Sequence, residues 1–409
     1  MVELVAIKFN HDPASAAADA LNIRRNASDV VVVPEWQRGL SINPEDSPAA
    51  YAIAETRGNI VTIQAQFFRK PAKAKTLPHV QVRAIDATLD PWWLEGCRGL
   101  FGDCVRAILR LFWGNILGEP KPRTVTFQVN GFSAFETFEL RHVRLWSRGV
   151  GVRTTTWRWQ YRRKVWKPWV DFAISEHRIY SLLEVPKNPW QQQPYGTANT
   201  QLPWTEVLDH ACRWAWRATA RDEAAAAVTA AIYALGPATV TYDCPGGGSS
   251  HYVVWGGFDG TAFLDRLKGG PGNGIYVNCT DCATITSTFA NALGCDLWQS
   301  RMGYGFDLNP LLGIGSTVWQ TACGWGGFSY HEVAWKDACD VGDPVFDACL
   351  EVDGDADPTA ADPAHTALLP VNLRFGNTGE GDYRDRLAAP SGRASCNPQP
   401  VTRMRRSLV

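Results

Sequence analysis

Hydrophobic periodicity changes once along this chain, near its middle, and that change limits what the chain can fold into. Before residue 185 apolar residues recur at every second position, or the run is rich in β-branched and aromatic residues. This holds for VTIQAQF (61–67), PHVQVRAI (78–85), RTVTFQVNG (123–131), ETFELRHV (136–143), GVGVRTTTWRWQYR (149–162) and HRIYSLLEVP (177–186). Turn-forming stretches such as DSPAA, KPAKAKTLP and GEPKP separate these runs, a pattern that predicts an antiparallel β-sandwich-like domain over 1–185. One apolar stretch, 92–117, breaks the pattern and is expected to hold a helix near 103–114. PKNPWQQQPYGTANTQLPW (186–204) is nearly uncharged and reads as a linker.

After 204 the period lengthens. Thr205 is an expected N-cap for TEVLDHACRWAWRATA, and DEAAAAVTAAIYALG follows, closed by Gly236. ATVTYD (238–243) predicts a short strand, and the glycine-rich loop 269–274 delivers the chain to Tyr276 and beyond. That loop lacks the GK[ST] of a phosphate loop. The expected organisation is a β-rich domain at 1–185, a linker at 186–204, an α+β domain at 205–375 and a polar tail at 376–409.

With 409 residues, two domains are the default. A net charge of −1 gives no electrostatic footprint for nucleic acid, and the basic residues at 161–168 sit among aromatics on a presumed strand face. No apolar run approaches the ~18 residues of a membrane helix, and the N-terminus lacks a signal-peptide pattern. The 11 cysteines are scattered, so they are expected to be reduced thiols of a cytoplasmic protein. No partner of nucleic acid or membrane type is expected.

The chemistry concentrates in NCTDCATITSTFANALG (278–294). Asn278 as N-cap with Asp281 three residues on is a variant capping box, and Gly294 ends the helix. Cys279 then stands at the first helical position, where unpaired N–H groups and the helix dipole favour a thiolate. Cys282, Ile285, Phe289 and Leu293 fall on one apolar face, which makes Cys282 a packed, inert thiol. The CxxC spelling alone leaves a zinc site, a redox pair or a nucleophile open. A zinc site lacks two further ligands at matching spacing, and a redox motif belongs early in a βαβ unit rather than after two helices.

A nucleophile needs a base and an orienting group. In GGFSYHEVAWKD (326–337), Ser329, His331, Val333 and Trp335 share one strand face. In DPVFDACLEVD (343–353), Asp347 points away from the apolar Phe346, Ala348 and Leu350. A hairpin centred near Cys339 would set His331 directly opposite Asp347. Singly, a strand histidine is a packed core residue and a strand-end aspartate a solvated one; the joint spacing is what points to chemistry.

These residues resemble the transglutaminase-like (papain-like) cysteine protease and acyltransferase superfamily over roughly 200–355. That family has a Cys, an Ala four residues on and a Gly fifteen residues on, matched by Cys279, Ala283 and Gly294; a strand His, matched by His331 in YHEVAW; and an Asp about sixteen residues later, matched by Asp347. CDLWQSRMG stands where the family has an Ile-Pro-x-Arg run, with Arg301 displaced. The resemblance implies an α+β fold with the Cys helix packed on an antiparallel sheet carrying His and Asp. It also implies acyl transfer through a thioester, with Cys279 as nucleophile, His331 as base and Asp347 as its orienter.

Water is the expected acceptor, making the chain a thiol peptidase or amidase. Protein-glutamine crosslinking and a silent binding module of the same fold are the alternatives. Asn273, Tyr252 and Trp255 are weak candidates for an oxyanion or substrate contact beside the Cys279 backbone N–H. The expected partners are a protein or peptide substrate and a protein bound through the first domain. No cofactor or metal is expected: DGDADP (353–358) spells a calcium loop but has Pro358 where Gly belongs and Ala364 at the twelfth position.

Overall fold

The change of period corresponds to two units in a computed structural model, which describes residues 2–12, 19–40, 43–54, 60–70, 79–89, 114–190, 202–355, 365–376 and 382–409. Of these, residues 2–185 form one unit, and 186–190 with 202–409 form the other. The helix expected near 103–114 and residues 191–201 of the expected linker lie outside the described residues, apart from Gly114.

In the first unit two five-stranded sheets face each other. One runs in the order Trp36–Gln37, Val2–Lys8, Thr62–Arg69, Glu136–Arg141, Glu119–Pro120; the other Ala49–Ala52, Val170–Leu182, Gly151–Arg162, His79–Asp86, Arg123–Thr126. Every pairing is antiparallel except that of Ala49–Ala52 with Val170–Leu182. Alternation puts Val80, Val82 and Ala84 inward from one strand and Trp157 and Trp159 from its neighbour. Rings then join the two sheets: Phe67 meets Trp159 edge-on at 5.6 Å between centroids, and Phe138 meets Trp159 at 5.8 Å. The strand Val2–Lys8 lies outside the set expected from sequence.

The second unit is built around the helix Cys279–Ala292, all fourteen residues of which are buried. The helices Thr205–Trp214 and Arg221–Tyr233 pack on it, as does a five-stranded antiparallel sheet ordered Val371–Arg374, Pro344–Phe346, His331–Trp335, Trp298–Met302, Pro398–Met404. The one-sided apolar face expected for the central helix is thus a helix enclosed on every side. Several of its polar residues are satisfied within the core: Thr284 Oγ1 donates to the Thr280 carbonyl (2.7 Å), and Ser287 Oγ donates to the Ala283 carbonyl (2.8 Å), whereas the buried Thr286 and Thr288 hydroxyls have no partner among the described residues. Asn291 receives the Leu297 N–H (2.7 Å) and donates to the Leu297 carbonyl (2.9 Å).

Three sequence expectations change here. Thr205 is the first helical residue, and Trp204 occupies the cap without a side-chain bond. The segment 186–190 packs on the central helix: Lys187 N–H donates to the Asn291 carbonyl (2.9 Å), and buried Trp190 donates its Nε1–H to the Thr288 carbonyl (2.9 Å). Finally, the expected tail carries an edge strand of the sheet, where Gln299 pairs with Met404 and Arg301 with Gln399. Beyond it Ser407 and Val409 bond to the Phe258 backbone.

Candidate functional site

Local sequence sets the start of the central helix. Asn278 is extended and caps it: Asn278 Oδ1 accepts the Asp281 N–H (3.0 Å), and Asp281 Oδ2 accepts the Asn278 N–H (3.2 Å). Asp281 also receives the backbone N–H groups of His251, Tyr252 and Val253 at 2.8–3.0 Å, which ties the preceding loop to the helix end. Asn278 Nδ2 donates to the Gly248 carbonyl (2.7 Å). Cys279 is therefore held at the first helical position, where the helix leaves its N–H without an intrahelical acceptor.

His331 opens the middle strand and is fully buried. Its Nε2 lies 2.9 Å from Asp347 Oδ2. The ladder reaches this contact by another route than the expected one. Ala334 pairs with Phe346 and Trp335 with Val345, so Asp347 follows the last paired residue and reaches His331 on the diagonal. Lys336 N–H bonds to Pro344 O, and Asp343 Oδ2 accepts the N–H groups of Ala338 and Asp340, giving a broader loop than a tight turn at Cys339.

Asp347 is saturated with donors. Oδ1 accepts the Cys349 N–H (2.8 Å), and Oδ2 also accepts the Tyr383 hydroxyl (2.7 Å). Tyr383 belongs to the expected tail and was not legible as a site residue. Phe328 stacks on the imidazole face with centroids 5.1 Å apart and planes 6° from parallel. Nδ1, the other ring nitrogen, is buried and has no hydrogen-bond partner at standard geometry among the described residues.

Burial would push the His331 pKa down, but the Asp347 charge, its hydrogen bond and the Cys279 thiol act against burial and raise it to about 10. With Nε2 occupied by Asp347, Nδ1 is the ring nitrogen left for a further partner. Cys282 is buried beside the Cys349 thiol; that neighbour lowers its pKa, but burial and the surrounding negative charges outweigh it, for a net upward shift. Cys349 is pushed well up, chiefly by burial. The two halves of the CxxC thus occupy different environments.

Behind the helix start a second buried cluster braces the strand of His331. Glu332, its neighbour, pairs with Arg406: Nη1 meets Oε1, and Nη2 lies 3.1 Å from Oε2. Arg406 also reaches Thr284 Oγ1 (3.0 Å) and Gln299 Oε1 (2.9 Å), while Thr280 Oγ1 donates to Glu332 (3.1 Å). The displaced Arg301 lies 3.4 Å from the same carboxylate and over the Tyr330 ring.

Two of the three weak candidates, Asn273 and Tyr252, are engaged elsewhere, and the third, Trp255, faces solvent. Asn273 donates to the His251 carbonyl (3.0 Å) and to Asp259 (3.2 Å). Tyr252 is buried with its hydroxyl on the Gly274 carbonyl (2.6 Å). Trp255 is fully exposed on a turn at positive φ. Tyr242 was missed instead. It is buried, its hydroxyl pKa is raised by burial and next by the Cys279 charge, and it lines a cleft together with Phe328. Only its place before a glycine-rich loop marked it in the sequence.

Cys244 and Cys323 form a disulfide, which corrects the expectation of uniformly reduced thiols; Cys279, Cys282, Cys339, Cys349 and Cys396 are free and buried, and Cys212 and Cys295 are buried. No cluster of three or more potential metal ligands occurs among the described residues, and no helix of those residues is long and apolar enough to cross a membrane.

No protein-family model matches this sequence, and no curated protein matches it. Among solved structures, that of red sea bream transglutaminase is similar over 78% of this chain and 51% of that chain, at 10% identity and a TM-score of 0.37. The chain thus spans about half the length of the transglutaminase it matches.

Proposed function

We propose that this chain is a cysteine-dependent hydrolase of amide bonds in peptides or proteins, working through a thioester. What supports the reading is His331 bonded through Nε2 to Asp347 (2.9 Å), with its Nδ1 left without a partner among the described residues and the Cys279 thiol near enough to raise its pKa. Cys279 is the nucleophile, resting as a thiolate beside a His331 imidazolium that Asp347 stabilises. The sulfur adds to the amide carbonyl, and collapse of the oxyanion expels the amine as His331 protonates it. Water, deprotonated by His331, then cleaves the thioester and releases the acid, restoring the thiolate–imidazolium pair. The Cys279 N–H and the Tyr242 hydroxyl supply the oxyanion donors.

Limiting iodoacetamide tests the activated pair without a substrate. Peptide mapping is expected to find Cys279 alkylated ahead of every other free thiol at pH 6–7, and His331→Ala to remove that selectivity. Alkylation of Cys279 no faster than that of the other thiols would sink the reading. Uptake of a primary amine into a glutamine-bearing protein, in place of release of the free acid, would move it to crosslinking.

A further inference from the structure

Beside His331 and its partner Asp347 lies a small cleft that opens to solvent. Neither Cys279 nor His331 lines it, but its lining residue Phe328 stacks on the His331 ring. Phe328, stacked on His331, forms one wall, and Tyr242, whose hydroxyl feels the Cys279 charge, forms another. Leu311, Val318, Ala322 and Leu350 fill out the lining, which contains no charged side chain. The Cys244–Cys323 disulfide is part of the wall and ties the segment after Tyr242 to the loop leading to Phe328. The two sides are therefore covalently joined, and the cleft keeps its width.

We infer that this cleft is the side-chain subsite for the acyl part of the substrate, and that it selects uncharged, apolar side chains of leucine or phenylalanine type. The inference rests on the reading of Cys279 as nucleophile. The acyl group stays attached to sulfur through both half-reactions while the amine departs, so the acyl side gains from a fixed pocket next to the nucleophile. The cleft is far smaller than one that would bury a whole drug-sized ligand, which suits one side chain rather than an extended polymer. A lysine or glutamate side chain would lose its hydration there and meet no counter-charge.

Peptidyl chloromethyl ketones of one backbone, differing only in a terminal Leu, Phe, Lys or Glu, test this on the full chain. The Cys279 thiolate forms a C–S bond, the C–Cl bond breaks and chloride leaves, so intact mass reports the rate whatever the natural substrate is. Leu and Phe reagents are expected to react roughly 10- to 100-fold faster than Lys and Glu reagents. Val318, 57% exposed at the rim, allows a charge to be added without touching the core. Val318→Glu should raise the Lys rate and depress the Glu rate. Equal rates for all four reagents, or no response to Val318→Glu, would overturn the subsite if iodoacetamide still singles out Cys279. If iodoacetamide does not, the reading of Cys279 falls, and the subsite falls with it.

Discussion

The Tyr383 hydroxyl donates a 2.7 Å hydrogen bond to the same Asp347 oxygen that receives His331 Nε2. One carboxylate oxygen therefore carries two donors and has no freedom to rotate away from the imidazole. Tyr383→Phe keeps the ring and removes one charge-assisted bond, typically about 1.5–3 kcal/mol. Turnover, or alkylation of Cys279, should fall by roughly tenfold with little change in KM. A role in packing alone would move the denaturation midpoint and leave the pH–rate profile in place.

Asp347→Asn removes the charge that holds His331 up against burial. His331 in the native protein keeps its proton through neutral pH and loses it near pH 10. Because its folded pKa lies above the unfolded value of about 6.5, the associated stability is fully present below that value and is lost as pH rises through about 10. In Asp347→Asn burial dominates, and the ring should be neutral at pH 7. The His331 Cε1–H resonance, followed by NMR from pH 5 to 10.5, distinguishes the two. The variant should also lose Cys279 selectivity toward iodoacetamide at pH 6–7.

Tyr242→Phe removes the proposed second oxyanion donor while keeping the ring that lines the cleft. The expected result is a loss of about 10²-fold in kcat, with KM nearly unchanged. Steady-state kinetics on a peptide amide with an apolar acyl side chain reads both. A rise in KM at constant kcat would instead make Tyr242 a substrate-contact residue.

Arg406→Ala leaves Glu332 buried beside Thr280, with Arg301 the remaining cation on its carboxylate. Removing one partner of a buried pair costs about 3–5 kcal/mol, so urea denaturation should show a loss of that order. Pairing Arg406→Leu with Glu332→Gln should recover much of it. Truncation after Phe375 removes Tyr383, the edge strand Pro398–Met404 and Arg406 together, and is expected to give an unfolded or inactive chain.

The start of the central helix was legible because its determinants are local: Asn278, Cys279 and Asp281 stand within four residues, and Gly294, at positive φ, closes the helix. His331 and Asp347 were legible as a pair from their spacing, though not in their register, because Asp337 and Cys339 both adopt positive φ and the loop is longer than a tight turn. The partners that complete the arrangement come from far along the chain. Tyr383 is 36 residues beyond Asp347 and Arg406 is 74 beyond Glu332, in a segment whose glycine, proline and charge content spells a tail. Polar composition describes the exposed atoms of such a segment; here a few of its side chains turn inward. Likewise Thr284 and Ser287 hide their polarity by bonding to the preceding turn, which period alone does not reveal.

The edge strand and Arg406 also fix an order of events during synthesis. The ribosome releases Cys279, His331 and Asp347 well before Tyr383, and Tyr383 before Arg406. A nascent chain therefore carries Cys279 before the partners of His331 and Asp347 are complete and before the sheet has its edge. Assembly waits for residues up to 406, so a prematurely terminated product would hold Cys279 on a helix whose supporting cluster is missing.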